Sequence, residues 1–169
     1  GIDYYVLVHG FSSSVGDFTM TITCSPYVPP PANDDCANAT PVTGPYPVTG
    51  IIGSTAGATM DCSGFLNTNG VWYSINLPYA FNKVIIDLCS PSLTDGYIVM
   101  FPDCSCSLPW YANSWLFAPP CVTDLTWNEI PGPTTIYYNV WLGGAGADFT
   151  MDVDVQGGSP AANITPPSF

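Results

Sequence analysis

Short segments in which apolar and polar residues alternate follow one another along most of the chain. In residues 17–24, one face of an extended chain carries Phe18, Met20, Ile22 and Cys24, while the other carries three threonines. Alternation with a period of two is typical of a strand that buries one face. Further apolar runs, separated by turn residues, centre on Ile51, Trp72, Ile85, Val99 and Leu116. TDLTW follows them and precedes a final pair of predicted strands. With 18 Pro, 16 Gly and no convincing helical period, about eight short strands predict an all-β fold, an antiparallel jelly-roll or Ig-like β-sandwich.

The pattern at the start of the chain is repeated near its end. Residues 3–24 read DYYVLVHGFSSSVGDFTMTITC, and residues 136–155 read IYYNVWLGGAGADFTMDVDV. We interpret each copy as a β-hairpin; the second closes a segment of domain length, and no domain stands in front of the first. Because two strands alone are marginally stable in water, the extra N-terminal β-hairpin is expected to pair with another body. That body is another subunit or a missing stretch of the same chain.

These patterns divide the chain into four parts. Residues 1–24 form the N-terminal hairpin, donated to or shared with a neighbouring domain. Residues 25–32, SPYVPPPA, form a stiff Pro-rich linker, because consecutive prolines favour an extended chain and lack the N–H that a strand ladder needs. Residues 33–155 form the β-sandwich, and residues 156–169 form an extended tail.

The charge of the chain excludes some classes of partner. The formal net charge is -12, and Lys83 is the only Lys or Arg. Binding to nucleic acid needs cations that neutralise phosphates, and an anionic membrane surface repels a chain of this charge. No run of about 20 apolar residues is present, so we expect no membrane insertion.

The seven cysteines indicate disulfides in an oxidising compartment. A metal site is disfavoured because His9 is the only His and no CxxC pair exists. We therefore expect the protein at the cell surface or outside the cell.

Five segments in order resemble the pre-peptidase C-terminal-like β-sandwich repeats of secreted and cell-surface proteins. They are NDDCANAT, GSTAGATMD, GVWYSI, DLCSPSLTDGYIVMF and YYNVWLGGAGADFTMDV. The resemblance covers about residues 33–155, and residues 3–24 again as a repeat ending. It implies a jelly-roll-like sandwich with an adhesive, carbohydrate-associated or structural role and no catalytic site. The chain departs from the pattern by beginning inside a repeat and by its Pro-rich joints.

The resemblance also implies a disulfide pairing. The implied bonds join Cys89 to Cys104, Cys106 to Cys121, and Cys36 to Cys62. Cys24 is then odd and available for a bond to a neighbouring subunit. A local Cys24–Cys36 bond across the linker is the alternative, and it leaves Cys62 odd instead.

Catalytic chemistry finds little support in the sequence. YVLVHGFSSS is similar to the strand and oxyanion loop of α/β-hydrolases, but GxSxG is missing and His9 precedes every candidate nucleophile. Glu129 is the only Glu, so no carboxylate pair suited to a glycosidase stands out. We predict no enzyme activity and no cofactor. Calcium at one turn is an alternative to solvated aspartates, with candidate ligands Asp34, Asp35, Asp61, Asp95 and Asp103.

Two further features concern carbohydrate. Aromatic side chains that either stack on glycans or fill a core or an interface are concentrated in one Cys-bounded loop: Trp110, Tyr111, Trp115 and Phe117. Asn38 and Asn163 each begin an N-glycosylation sequon, so the chain is a candidate glycoprotein.

The leading hypothesis from the sequence is a structural subunit of a secreted extracellular fibre, a homopolymer with helical assembly. Its N-terminal hairpin would act as a donor strand pair that completes the neighbouring β-sandwich or extends its sheet. The residues expected to make this contact are Tyr4, Tyr5, Val6, Leu7, Val8, Phe18, Met20 and Ile22. The alternative is an adhesive or carbohydrate-binding β-sandwich module of a larger secreted protein.

Overall fold

The computed structural model describes residues 4–12, 14–24, 26–61, 69–91, 95–106, 112–116, 120–143 and 146–157, and for 112–116 the backbone alone. These residues contain nine strands and one 3-10 turn, Cys36–Asn38. The strands are β1 Thr40–Val42, β2 Val48–Ser54, β3 Val71–Leu77, β4 Phe81–Cys89, β5 Gly96–Phe101, β6 Ala112–Leu116, β7 Cys121–Pro131, β8 Thr134–Leu142 and β9 Asp148–Gly157. Each apolar run predicted between Ile51 and TDLTW lies in one of them.

The strands form two sheets packed face to face, which confirms the predicted all-β sandwich. One sheet has five strands in the order β1-β3-β8-β5-β6, and the other has four in the order β2-β9-β4-β7. All pairs are antiparallel except β1 and β3, which run parallel. The central strand β8 pairs with β3 and β5, while β9 pairs with β2 and β4.

The core lies between the sheets and is formed by alternate residues of each strand. In β9, buried and exposed positions alternate, so that Phe149, Met151, Val153 and Val155 face inward. The Tyr138 hydroxyl of β8 donates to the Met151 sulfur across the core, over 3.7 Å. Burial raises the pKa of Tyr138 far above its ordinary value. β8 and β9 therefore face each other from opposite sheets.

A second apolar cluster lies apart from this core. It contains Cys36, Trp72, Tyr97, Val99 and Phe101, all of them buried. The rings of Trp72 and Phe101 lie 5.3 Å apart between centroids, and burial raises the pKa of Tyr97. The β8 residues Tyr137 and Trp141 pack against this cluster, while Tyr138 and Val140 belong to the core. β8 therefore contacts apolar groups on both of its faces.

The disulfides differ from the pairing implied by the family resemblance. The structure joins Cys36 to Cys104 and Cys89 to Cys121, so the expected Cys89–Cys104, Cys106–Cys121 and Cys36–Cys62 bonds are wrong. Cys106 is also disulfide-bonded, and Cys62 lies outside the described residues.

The strand order explains the correction. β4 and β7 are neighbours, and their register places Cys89 directly opposite Cys121, with the Cα atoms 4.0 Å apart. Cys104 follows β5, which belongs to the other sheet. Cys24 is free and exposed, so the alternative Cys24–Cys36 bond is wrong, while the expectation of an odd Cys24 is confirmed.

The predicted hairpin at residues 136–155 is also corrected. β8 and β9 belong to different sheets, so residues 136–155 form a β-arch that crosses the core instead of a hairpin. β9 extends to Gly157, two residues beyond the predicted end. None of the described residues in 4–24 belongs to a strand. The extra N-terminal hairpin, which is expected to form with another body, stays a prediction.

Candidate assembly segment

The most exposed apolar part of the described structure is its N-terminal segment. We call residues 4–12 and 14–24 the assembly segment. Every residue expected to make the assembly contact is exposed: Tyr4, Tyr5, Val6, Leu7, Val8, Phe18, Met20 and Ile22. Tyr5 is 94% exposed and Phe18 65%. Soluble domains rarely leave so many neighbouring apolar side chains in water unless a partner covers them.

The backbone of this segment, like its side chains, makes few contacts with the rest of the described chain. Within it, the Ser14 amide donates to the Phe11 carbonyl over 3.1 Å. His9 lies in the same region, with Nδ1 2.9 Å from the carbonyl of Gly10. The described residues of the segment belong to no sheet of this chain.

The chain that follows the segment is fixed to the sandwich. The Asp34 amide donates to the Pro31 carbonyl over 3.1 Å, and the Trp72 amide donates to the Asn33 carbonyl over 2.8 Å. Gly57 has a φ of +76° and lies so close to Pro29 that a Cβ there would meet the Pro29 carbonyl at 2.6 Å. Pro29, within the linker, therefore lies against the turn that contains Gly57.

Charge is distributed unevenly between the assembly segment and the rest of the chain. The whole chain has a net charge of -12, but Asp17 is the only acidic residue within residues 4–24. Where β9 presents Asp152 and Asp154 on its outer face, the segment has Thr21 and Thr23. The segment therefore carries little of the negative charge of the chain.

Sequence reasoning missed several exposed apolar side chains, among them Phe11, Val15 and Ile52. Phe11 and Val15 are 89% and 99% exposed and lie where the first copy of the repeat is two residues longer than the second. Ile52, on the edge strand β2, is 82% exposed and lines a shallow groove with Pro91 and Phe149. The only available signal for Ile52 was its place in an apolar run, which does not show which of two adjacent isoleucines faces outward.

The candidate calcium ligands serve as hydrogen-bond acceptors in turns. Both carboxylate oxygens of Asp34 accept bonds from Thr59, its amide and its hydroxyl, each over 2.6 Å. Asp61 accepts from the Cys36 amide over 2.8 Å. Hydrogen bonds from Ser105 lower the pKa of Asp103. Within the described ranges, no three His, Cys, Asp or Glu side chains come together as a metal site.

The remaining two candidate calcium ligands, Asp95 and Asp35, lie in other turns. The Asp95 carbonyl accepts a bond from the Gly143 amide over 2.8 Å, at the start of β5. Asp35 is exposed and precedes the 3-10 turn as its N-cap residue.

The carbohydrate-related residues fall in different parts of the structure. Asn38 is exposed at the end of the 3-10 turn, where a glycan would meet no obstruction from the core. Asn163 lies outside the described residues. The side chains of the aromatic loop lie outside them as well: Trp110, Tyr111, Trp115 and Phe117. The described residues contain no helix with the length and hydrophobicity that a bilayer crossing needs.

Comparison with known proteins finds a likeness to solved structures only. No protein-family model matches the chain, and no curated protein matches its sequence. Among solved structures, the chain is similar to the pre-peptidase C-terminal domain of collagenase from Bacillus anthracis, at 17% identity and a TM-score of 0.44. The match covers 70% of this chain and 94% of that one. Likeness at this level carries no information on function.

Proposed function

We propose that the protein is a structural subunit of a secreted extracellular fibre, in which the assembly segment of one subunit docks into a β-sandwich of the next. One observation carries the proposal: a segment with the residue pattern of two strands exposes its apolar face beside a sandwich that is already complete. Both sheets of the described sandwich are built without this segment, because β1 to β9 form all of their strands.

The hydrophobic effect supplies the driving force for docking. Burying a Leu, Ile, Phe or Met side chain contributes roughly 1.5–3 kcal/mol relative to leaving it exposed. The segment holds several such groups, including Leu7, Phe18, Met20 and Ile22. Main-chain hydrogen bonds to acceptor strands add to this gain, while the alternating side chains set the register.

The arrangement of donor and acceptor favours an open polymer. The donor is a segment that precedes the sandwich, and the acceptor is a different surface, so each subunit offers both halves of the contact. Such a heterologous contact produces filaments when its rotation does not close a ring. The partners are other subunits of the same kind, and the fibre needs neither a cofactor nor an active site.

Several features support a location outside the cell. The disulfides Cys36–Cys104 and Cys89–Cys121 persist in oxidising compartments and are rare in the cytosol. Asn38 offers an exposed sequon for a glycan. With Lys83 as the only Lys or Arg, the chain also contains almost no sites for trypsin-like proteases.

Imaging and sedimentation of the native material test the proposal. We expect regular filaments that sediment as a polymer at near-neutral pH. The double variant Phe18→Asp with Ile22→Asp should lose filaments, because it places charges on the docking face. The matched control, Thr19→Asp with Thr23→Asp, alters the opposite face of the same stretch and should keep them.

Dispersed monomers of the wild-type chain would overturn the fibre proposal. Retention of those monomers on a glycan column would then favour an adhesive or carbohydrate-binding module.

A further inference from the structure

The two sheets of the sandwich differ by one strand, and the difference lies at one edge. β8 faces β9, because Tyr138 contacts Met151 across the core. Tyr73 of β3 lies against both Phe149 of β9 and Gly53 of β2, while β6 contacts β7 at the other end. The order of the sheets then leaves β1 with no described strand facing it. The corresponding place in the four-stranded sheet is beside β2.

Burial shows that the edge at β2 is less covered than the centre of its sheet. The inward residues Phe149 and Met151 of β9 are at most 2% exposed. Ile51 of β2 packs against the same core but is only half-buried, and Thr40 on β1 is exposed. Ile52, which faces outward, is 82% exposed. A further strand beside β2 would therefore cover apolar surface that the described residues leave partly in water.

The backbone of β2 has hydrogen-bonding groups that point away from its sheet. The Thr55 amide donates to the Ala147 carbonyl over 3.0 Å, and this pair continues the antiparallel register of β2 and β9. Bonded and non-bonded residues alternate along such a pair, so Gly53 bonds to β9 as well. Ile52 and Ser54 then direct their N–H and C=O groups to the other side. No described strand lies there, because β2 is the outermost strand of its sheet.

The other edges of the sandwich are less suited to accept a strand. β7 has Asp124 and Glu129, both with positive φ, and its register with β4 is irregular. Charges and irregular pairing are the usual protection of edge strands against further pairing. β1 has three residues, one of them Pro41 without an N–H. β6 already has β7 facing it. Residues 51–54 of β2 contain neither charge nor proline and pair regularly with β9.

The second half of the assembly segment has the pattern that a strand beside β2 requires. Such a strand has one face on the core and one face in water, and its residues therefore alternate between apolar and polar. In residues 17–24, Phe18, Met20 and Ile22 share one face and threonines share the other. Residues 17–20 are also identical to residues 148–151 of β9, a strand of the same sheet. Residues 4–8 are apolar on both faces and fit this place less well.

Charge is compatible with this pairing. Neither β2 nor residues 18–24 contain a charged residue, in a chain with a net charge of -12. Pairing of these two strands therefore brings together parts of two subunits that carry no acidic side chain of their own.

We infer that residues 17–24 of one subunit add to β2 of the next subunit, as a fifth strand of its four-stranded sheet. This inference rests on the proposed function and names the acceptor. Phe18, Met20 and Ile22 then lie beneath β1 of the acceptor, and the threonines face outward beside Ile52. The acceptor is a complete second copy, because all nine of its described strands stay where they are.

Paired cysteines in the assembled material test the contact. In a Cys24→Ser chain, Ile52→Cys is combined in turn with Thr19→Cys, Thr21→Cys and Thr23→Cys, which covers three registers. Opposed residues on adjacent strands lie about 5 Å apart, within reach of a disulfide. Each subunit carries both halves of the contact. We therefore expect one of the pairs to give a ladder of covalent multimers from the sedimented fraction on a non-reducing gel, and reduction to return it to monomers.

The matched control moves the acceptor cysteine to the other edge of the same sheet. Thr126→Cys takes the place of Ile52→Cys, since Thr126 is exposed on β7. We expect no ladder with any of the three threonine positions.

A proline in β2 provides a second measurement. Ile52→Pro removes an N–H that points away from β9 and leaves the bonds between β2 and β9 in place. We expect its cooperative thermal transition to persist while sedimentation as a polymer is lost. Sedimentation like that of the wild type would contradict the contact.

The outcomes separate this inference from the proposed function. A ladder with Ile52→Cys and none with Thr126→Cys supports β2 as the acceptor. Filaments without a ladder for any Ile52→Cys pair, or equal ladders with Thr126→Cys, overturn β2 as the acceptor and leave the fibre standing. A closed ring of cross-linked subunits without filaments leaves the β2 contact standing and overturns the fibre. Monomers without cross-links between chains overturn both.

Discussion

The assembly segment and the β8–β9 arch have nearly the same pattern of residues but opposite environments. Met151 is 1% exposed and contacts Tyr138 across the core, whereas Met20, its counterpart, is 49% exposed. The difference is in the neighbours: β8 and β9 each have a strand on both sides, and the described residues of the segment pair with none. Alternation thus specifies which face a strand buries, and the adjacent strands decide whether it forms.

The largest contrast is expected from one substitution made in both copies. Met151→Asp places an unpaired charge in the core, which costs roughly 3–5 kcal/mol or more, a large part of the roughly 5–15 kcal/mol that stabilises a domain. We expect the cooperative thermal transition to disappear. Met20→Asp should leave that transition in place but prevent sedimentation as a polymer. Equal loss of the transition in both variants would contradict the comparison.

Removal of the Cys36–Cys104 disulfide should have the next largest effect. The bond closes a loop with a sequence separation of 68 in the sandwich, whereas the assembly segment contains only the free Cys24. Loop-closure entropy predicts that Cys36→Ala with Cys104→Ala lowers the free energy of unfolding by about 4 kcal/mol. Urea denaturation measures this loss. Cys24→Ala is the control, and a comparable loss there would show that the segment already stabilises the isolated chain.

Alkaline pH should destabilise the sandwich through its buried tyrosines. Burial raises the pKa of Tyr73, Tyr97 and Tyr138, so these hydroxyls stay protonated in the folded state while the unfolded chain releases their protons above about pH 10. Their contribution to stability is complete below that pH and is lost above it, by up to about 1.4 kcal/mol per pH unit for each tyrosine.

Tyr138→Phe tests this dependence at one position. Urea midpoints measured between pH 8 and pH 11 should fall less steeply in the variant, because one buried hydroxyl has been removed. Parallel profiles for the variant and the wild type would show that Tyr138 does not take part.

The smallest effect is expected on the outer face of the assembly segment. Thr23→Asp gives the segment the residue that β9 carries at Asp154, a position on its outer side. We expect the free energy of unfolding to change by less than about 0.5 kcal/mol and the polymer to persist, as is usual for surface substitutions. Loss of sedimentation would place Thr23 inside the contact and contradict its match to the outward Asp154.

The sequence predicted single strands well because each carries its own pattern. The run around Ile85 became β4, and the alternation of residues 148–155 appears in full in the burial of β9. β1 was missed because it has only three residues, one of them Pro41, and pairs in parallel with a strand far along the chain. A segment of three residues is too short to show an alternation of apolar and polar positions.

The relations between strands were not predictable in the same way. The repeat was interpreted as a hairpin because a Gly-containing turn joins two apolar runs, but β8 and β9 enter different sheets. The turn makes room for this crossing at Gly146, which has a φ of +98° and lies against Ala56 and Thr55. The disulfides followed from the same sheet order, since the pairing of Cys89 with Cys121 requires β4 to lie beside β7.

The Cys36–Cys104 bond sets the path that tension would take through the protein. A pull on the assembly segment passes along the linker and reaches Cys36 before the first strand begins. There the covalent link carries the load directly to Cys104, beyond the end of β5. The chain between the two cysteines, including β1 to β5, therefore bears none of the load in series. Under stretching, this part of the molecule could not be drawn out, and the extensible length of each subunit would be shortened accordingly.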